Sequence, residues 1–322
     1  MRALPPLPTP ATDPINQADW LELVTLLRDD RSTSINDLRQ LLVATDTATS
    51  FADDGDPPDE LQAEEALAEL ARRARAADGA YPFEFDRTGT LITLKNDSAY
   101  VPYVFCLLLS WLGAAREQAQ ADVARLFERL ATVAACQYLG AAIRFGHPRE
   151  DLSPKFEDAL AEVCKALGDG EPGLQAGGLR DTKDGHLDVV AWKTIDGKPG
   201  QMVLFGQCAA GGNWTTKLGE LNVRDFLALY MKRALAVEPV RAFFTPFQIS
   251  QQTWWQTSVK AGIVFDRCRI SRLAHSENLT DHSAWIAARL AQLRDSGVTE
   301  ARPRRSLERS HHTGLRRIRR RT

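Results

Sequence analysis

"GHLDVVAWKTIDGKPGQMVLFGQCAAGGNWTTKL" (185–218) holds two apolar runs on either side of a turn rich in glycine and charge. "HLDVVAWK" and "QMVLFGQCA" read as strands joined by "TIDGKPG". Strand alternation puts Asp188 on one face with Val190 and Trp192, and Val189, Ala191 and Lys193 on the other. On the second run Val203, Phe205, Gln207 and Ala209 share a face. A carboxylate and a carboxamide on neighbouring strands converge on one small polar pocket. An unpaired carboxylate on an otherwise apolar strand is costly, so Asp188 calls for a partner. A divalent cation with oxygen ligands would serve: the Asp188 carboxylate, the backbone carbonyl of Cys208 and waters. Such a cation lowers the pKa of a bound water and stabilises charge at phosphorus.

Working outward, "SPKFEDALAEVCKALG" (153–168) is an amphipathic helix with Phe156, Leu160, Val163, Cys164 and Leu167 on its apolar side, stopped by Gly168. "NWTTKLGELNVRDFLALYMKRALA" reads as one helix with Asn213 as its N-cap, which puts Lys217 near its start. "VRAFFTPFQIS" and "AGIVFDRCRI" are two more strands separated by a Trp-rich segment. Helix, strand, strand, helix, strand, strand predicts an α/β sandwich around a central mixed sheet.

The first half is mainly helical. "NQADWLELVTLLRDD", "STSINDLRQLLVAT" and "DELQAEEALAELARRARAAD" read as helices, and two more run from Tyr100 to about Ala114 and from Glu117 to about Phe145. "YPFEFDRTGTLITLKND" reads as a hairpin. The turn-rich "FGHPRED" marks a boundary, dividing the chain into a disordered leader (1–14), a helical domain (15–150), an α/β domain (151–298) and a basic disordered tail (299–322).

With 322 residues, 44% hydrophobic and 25% charged, the chain is long enough for two or three modest domains. Its longest apolar stretch, "YVPYVFCLLLSWLGAA", is too short to span a bilayer. Prolines in "MRALPPLPTPATDP" stand where a signal peptide needs an apolar helix, so a cytoplasmic protein is expected, with no membrane partner. Five scattered cysteines with no CxxC pair argue against a disulfide framework or a zinc knuckle. The net charge of −2 hides a strong asymmetry: "RPRRSLERSHHTGLRRIRRRT" has nine arginines and one acid. Of these Arg316, Arg317, Arg319, Arg320 and Arg321 are candidate nucleic-acid contacts, or else part of a solvated end without a dedicated partner. There is no GxxxxGK[ST] loop, no GxSxG elbow and no HExxH.

The series "KFEDALAEVCKALG … DTKDGHLDVVAWK … QMVLFGQC" resembles the Mrr-like branch of the PD-(D/E)xK restriction-endonuclease superfamily. Those proteins place a glutamate on the first core helix, an acid on one strand and a QxK pair on the next. Matched by position, the resemblance implies Glu157 as the helix glutamate and a metal ligand, Asp188 as the principal metal ligand, and Gln207 as the first half of the pair. Asp184 stands where related sequences carry "DGGxD". The pattern breaks at Ala209, where the lysine belongs; Lys217 is the substitute.

The resemblance covers roughly residues 153–270 and implies a restriction-endonuclease-like fold for the 151–298 domain and a Mg²⁺- or Mn²⁺-dependent DNA endonuclease. Asp188, Glu157, Gln207 and Lys217 would be its catalytic groups, in bacterial restriction or anti-phage defence, with room for an oligomer or further subunits. The alternative is an inactive nuclease-fold scaffold or nucleic-acid-binding subunit, to which Ala209 points. Residue by residue, Glu157 also reads as a solvated helix residue, Gln207 as a strand-end hydrogen-bonding group and Lys217 as an exposed lysine. Arg267 and Arg269 read as phosphate contacts or salt-bridge partners.

Overall fold

The computed structural model describes residues 5–8, 10–44, 58–95, 100–112, 118–175, 183–275 and 277–295. The basic tail and its arginines lie outside them. In chain order the helices are α1 (Pro14–Leu27), α2 (Ile35–Ala44), α3 (Pro58–Ala77), α4 (Val101–Leu112), α5 (Gln118–Leu139), α6 (Phe156–Leu167), α7 (Val223–Tyr230), α8 (Gln251–Ala261), α9 (Arg267–Ala274) and α10 (Thr280–Asp295). The strands are β1 (Ser32–Ser34), β2 (Phe83–Phe85), β3 (Leu91–Leu94), β4 (Ala141–Arg144), β5 (Glu171–Pro172), β6 (Val189–Trp192), β7 (Val203–Cys208), β8 (Met231–Arg233), β9 (Val240–Phe244) and β10 (Ile263–Phe265).

The central sheet is mixed, in the order β10-β9-β7-β6-β4. β6 runs antiparallel to both β4 and β7, while β7, β9 and β10 are parallel. Its two faces bury different sets of side chains, as the period of two requires. Val189, Ala191, Leu204 and Phe244 pack with Phe127, Leu130, Ala131 and Ala134 of α5 and with Ile270 of α9. Val190, Trp192, Val203 and Phe205 pack with α6 and with Val223, Phe226 and Tyr230 of α7. The chain is therefore an α/β sandwich around a mixed sheet, with a helix-rich first half.

Four sequence expectations change. The helix expected to reach about Phe145 ends at Leu139, because Gly140 takes φ +104°, which costs a side-chain-bearing residue. The residues that follow form β4, an edge strand of the central sheet. The sheet and its helix α5 thus begin before the boundary drawn at residue 150. The long helix expected from Asn213 is broken: Asn213 makes no capping bond, and Trp214–Lys217 is one short 3₁₀ turn. The real cap is Asn222, in extended conformation, whose side chain accepts from the N–H groups of Arg224 and Asp225; the helix stops at Tyr230, before β8. The leader is not free along its length either: Pro5 is buried, and its carbonyl accepts from Trp20 Nε1 at 2.6 Å. Within "STSIN", Ser32–Ser34 is a strand that pairs with β3 of the expected hairpin.

Arg267 opens α9 rather than ending a strand, and it is fully buried. It meets Asp19 Oδ1 at 2.7 Å and Asp19 Oδ2 at 3.1 Å, while Arg73 Nη1 meets the same Asp19 Oδ1 at 2.7 Å and Glu22 Oε2 at 3.0 Å. Of the two roles considered for Arg267, the ion pair holds and phosphate contact does not. This cluster joins α1 and α3 of the first half to α9.

Candidate acidic centre

Asp188 is the last residue before β6, and the sheet fixes its backbone from both sides. Its N–H donates to Gly206 O at 2.9 Å, and its carbonyl accepts from Phe145 and Gly146 at 2.7 and 3.1 Å. Its carboxylate turns back onto the end of β7, where Oδ2 accepts from the Cys208 N–H at 2.7 Å. Cys208, whose carbonyl was expected beside Asp188 as a cation ligand, meets it through its N–H.

The second acid comes from α5. A methyl group built onto Gly146 would stand 2.5 Å from Glu128 Oε2 and 3.1 Å from Asp188 Oδ1, so the two carboxylates converge over this glycine. Only a residue without a side chain leaves that space open. Arg144 of β4 lies across from Glu128, its Nε 2.9 Å from Oε2 but not aligned as a hydrogen bond. Both Nη atoms of Arg144 are committed to Pro148 O at 3.0 Å. Burial, opposed by Arg144, pushes the Glu128 carboxyl up to about 7. Burial and then the charge of Glu128 hold Asp188 well above the ordinary carboxylate range, against the pull of the Cys208 N–H. Burial and the same two acids raise the Cys208 thiol.

The turn that delivers Asp188 is tight. Gly185 and His186 both have φ near +60°, and the Asp184 carboxylate accepts from His186 N at 3.0 Å. Arg149, stacked 4.4 Å from the Phe145 ring, donates to Lys183 O and fixes the turn against the loop after β4. Asp184 adds a second negative charge acting on Asp188, after Glu128.

The other expected site residues fall elsewhere. Glu157 is exposed in the first turn of α6, on the opposite side of the sheet from α5 and Glu128, and does not meet Asp188. Gln207 is buried and spent locally: Nε2 donates to Glu220 at 2.8 Å, and Oε1 accepts from Leu221 N at 3.3 Å. Lys217 is half-buried in its short turn, and among the described residues no ion pair or hydrogen bond joins it to Asp188 or Glu128. Ala209 is 1% exposed in an apolar cluster with Leu218, Phe243 and Val264, so the missing lysine's position is part of the core. The positions of β7 turned toward α5 are Leu204, Gly206 and Cys208, one step out of phase with the QxK pattern.

Sequence reading missed Glu128 because it missed β4. Had "GAAIR" been read as a strand, the helix just before it would have become the first core helix, and Glu128 its acid on a face with Phe127, Leu130 and Ala131.

Asp188 Oδ1 and the Glu128 carboxylate face one point over Gly146, and burial raises both pKa values, that of Asp188 also through the charge of Glu128. Among the described residues no group of three or more acid, histidine or cysteine side chains could hold a metal ion. A cation held here would have these two acids as its side-chain ligands and would need waters or backbone to complete its shell. No helix among the described residues is long and apolar enough to cross a membrane. Comparison with family models, with curated proteins and with solved structures finds no match for this chain.

Proposed function

We propose that this chain is a divalent-cation-dependent phosphodiesterase acting on DNA, with Glu128 and Asp188 as its acidic centre. The observation that carries the reading is the meeting of these carboxylates over Gly146, one from the helix preceding the sheet's first strand and one from the next strand. A bound Mg²⁺ or Mn²⁺ would supply an activated water and offset charge on the phosphate. Glu128 and Asp188 Oδ1 would hold the ion, the Cys208 N–H would orient Asp188, and Gly146 would keep the approach open. Arg144, beside Glu128, is the cation nearest to the role of the absent lysine. The tail arginines add salt-dependent affinity for the DNA backbone. The five unpaired cysteines suit a reducing cytoplasm, and restriction or anti-phage defence is the setting that the resemblance implies.

A second reading, a cation-binding scaffold that does not cut, is favoured by two observations: Ala209 is core, and Gln207 is used up by Glu220 and Leu221. One experiment separates them. Supercoiled and linear DNA are incubated with Mg²⁺ or Mn²⁺ and wild type, Asp188→Asn, Glu128→Gln, Glu157→Ala or Lys217→Ala, and cation binding is measured by calorimetry. Cutting lost in the first two variants and kept in the last two supports the enzyme. Cation binding through Asp188 without cutting supports the scaffold, and cutting that survives Asp188→Asn refutes this site.

A further inference from the structure

Away from the acidic centre, an open hollow of about 440 Å³ lies where the end of β3, the start of α4 and one side of α10 meet. That is the size of a small-molecule site. The buried Leu26 and Val104 line it together with Ile286 and Leu290 of α10, so most of its surface is aliphatic. Its charged lining residues are both cations, Arg31 and Lys95, and among the described residues no acid lines it, in a chain whose acids outnumber its lysines and arginines. The fold sets the two cations side by side. The Arg31 carbonyl accepts from Leu94 N at 3.0 Å where β1 meets β3, and Lys95 follows Leu94. Arg31 holds φ +52°, a left-handed backbone that persists in a side-chain-bearing residue only where neighbours fix it; its N–H donates to Arg28 O at 3.1 Å. Lys95 Nζ gives one of its three donors to Tyr81 O at 3.0 Å and stands 5.6 Å from the Tyr100 ring centroid.

We propose that this hollow binds a free single-chain amphiphile with an anionic head, of the class of a medium-chain carboxylate. Its chain would lie on Leu26, Val104, Ile286 and Leu290, and its head between Arg31 and Lys95. The inference is independent of the reading of the acidic centre. Aliphatic walls fit a body without polar groups. A sugar or a base would find few partners, because the Ser283 hydroxyl is spent on Leu279 O at 3.1 Å. The cations single out the head, since charge-assisted hydrogen bonds from arginine and lysine to one anionic group are the strong kind. They also exclude the chain's own tail, whose nine arginines they would repel. A second copy of the chain is the weaker occupant, because a stable interface needs ~1,000 Å² and this hollow admits only a few side chains.

The test is isothermal calorimetry of the full chain with three probes. Decanoate is the model ligand, decanol keeps the chain without the charge, and acetate keeps the charge without the chain. Acetate also reports what the tail arginines bind by charge alone. Decanoate is expected to bind wild type about tenfold more tightly than decanol, and more tightly still than acetate. Arg31→Gln with Lys95→Gln should erase the difference between decanoate and decanol. Ala287→Trp, which fills the hollow from α10, should abolish the binding of both. Decanoate that binds no better than acetate, or that binds Ala287→Trp as it binds wild type, overturns the proposal. Equal binding of decanoate and decanol by wild type also overturns it, because the cations would then have no role. Flotation with phosphatidylglycerol vesicles separates the sources of such a head. Vesicle binding that needs Arg31 and Lys95, without binding of monomeric decanoate, would replace the proposal with a membrane-surface contact. The wild-type comparisons stay decisive even if a variant fails to fold.

Discussion

Glu128 and Asp188 are acids that burial keeps from ionising in the ordinary range, and this has a measurable sign. In the unfolded chain Glu128 titrates near 4.5; folded, it titrates near 7. Between those values the native state holds a proton that the unfolded state releases, so stability falls as pH rises through this window. The shift corresponds to roughly 2–4 kcal/mol, and Asp188, also raised, acts in the same direction. Urea midpoints measured in EDTA from pH 4.5 to 8 should decline, and Glu128→Gln should flatten that decline. An unchanged slope in the variant would show that Glu128 is not the titrating group. Ala209 bears the second residue-scale prediction. Ala209→Lys restores the motif's lettering but puts an ammonium among Leu218, Phe243 and Val264, so it should cost about 3 kcal/mol or more and yield no gain in DNA cutting. A variant that is stable and cuts faster would mean that position 209 faces the site after all.

At the scale of elements, what the sequence disclosed depended on period and length. β6, β7, β9 and β10 were legible because long apolar runs bounded by glycine and charge are strong strand signals. The four-residue β4 was not, because "AAIR" continues the apolar composition of α5 and only Gly140 interrupts it. That one omission left Glu157 as the only helix acid in view and put the start of the sheet after residue 150. An acid on an apolar strand drew attention to Asp188, but alternation put it on the face of Val190 and Trp192, which pack on α6 and α7, whereas its carboxylate turns toward Glu128 of α5. Gln207, placed at the site by the resemblance and by alternation, bonds Glu220 and Leu221 instead. The run 213–236 failed for a different reason: Thr215, Thr216 and Gly219 are weak helix formers that the strong run after Asn222 masked, and a strand pairing with β5 ends the helix at Tyr230. Asn222, not Asn213, is therefore the cap that matters. Asn222→Ala should lower stability by about 1 kcal/mol, while Asn213→Ala should leave the urea midpoint within error. The reverse order would restore the long-helix reading.

At the scale of the molecule, the buried ion cluster decides whether the helical half and the sheet unfold together. Asp19 and Glu22 lie on α1, Arg73 on α3 and Arg267 on α9, and the hydroxyls of Tyr81 and Tyr103 donate to Glu22 Oε1 at 2.9 and 2.8 Å. Burial works against Asp19, yet Arg267 and Arg73 together pull its pKa below the ordinary value, so its charge depends on both arginines. Removing one arginine leaves the acids under-compensated where water cannot reach them, a loss typically of about 3–5 kcal/mol and a large share of a domain's net stability. Arg267→Met should accordingly bring the urea midpoint down sharply. Because Arg267 opens α9, which also packs on α5 beneath the sheet, the damage should appear in both halves at once. Pulsed hydrogen exchange along the urea series, read by mass spectrometry for the amides of α1–α3 (the helical signal) and of β6 and β7, would follow the two regions. Coincident transitions in wild type, and coincident but earlier ones in the variant, are expected. Separate transitions, with only the helical signal moved by Arg267→Met, would show two domains that merely touch through this cluster.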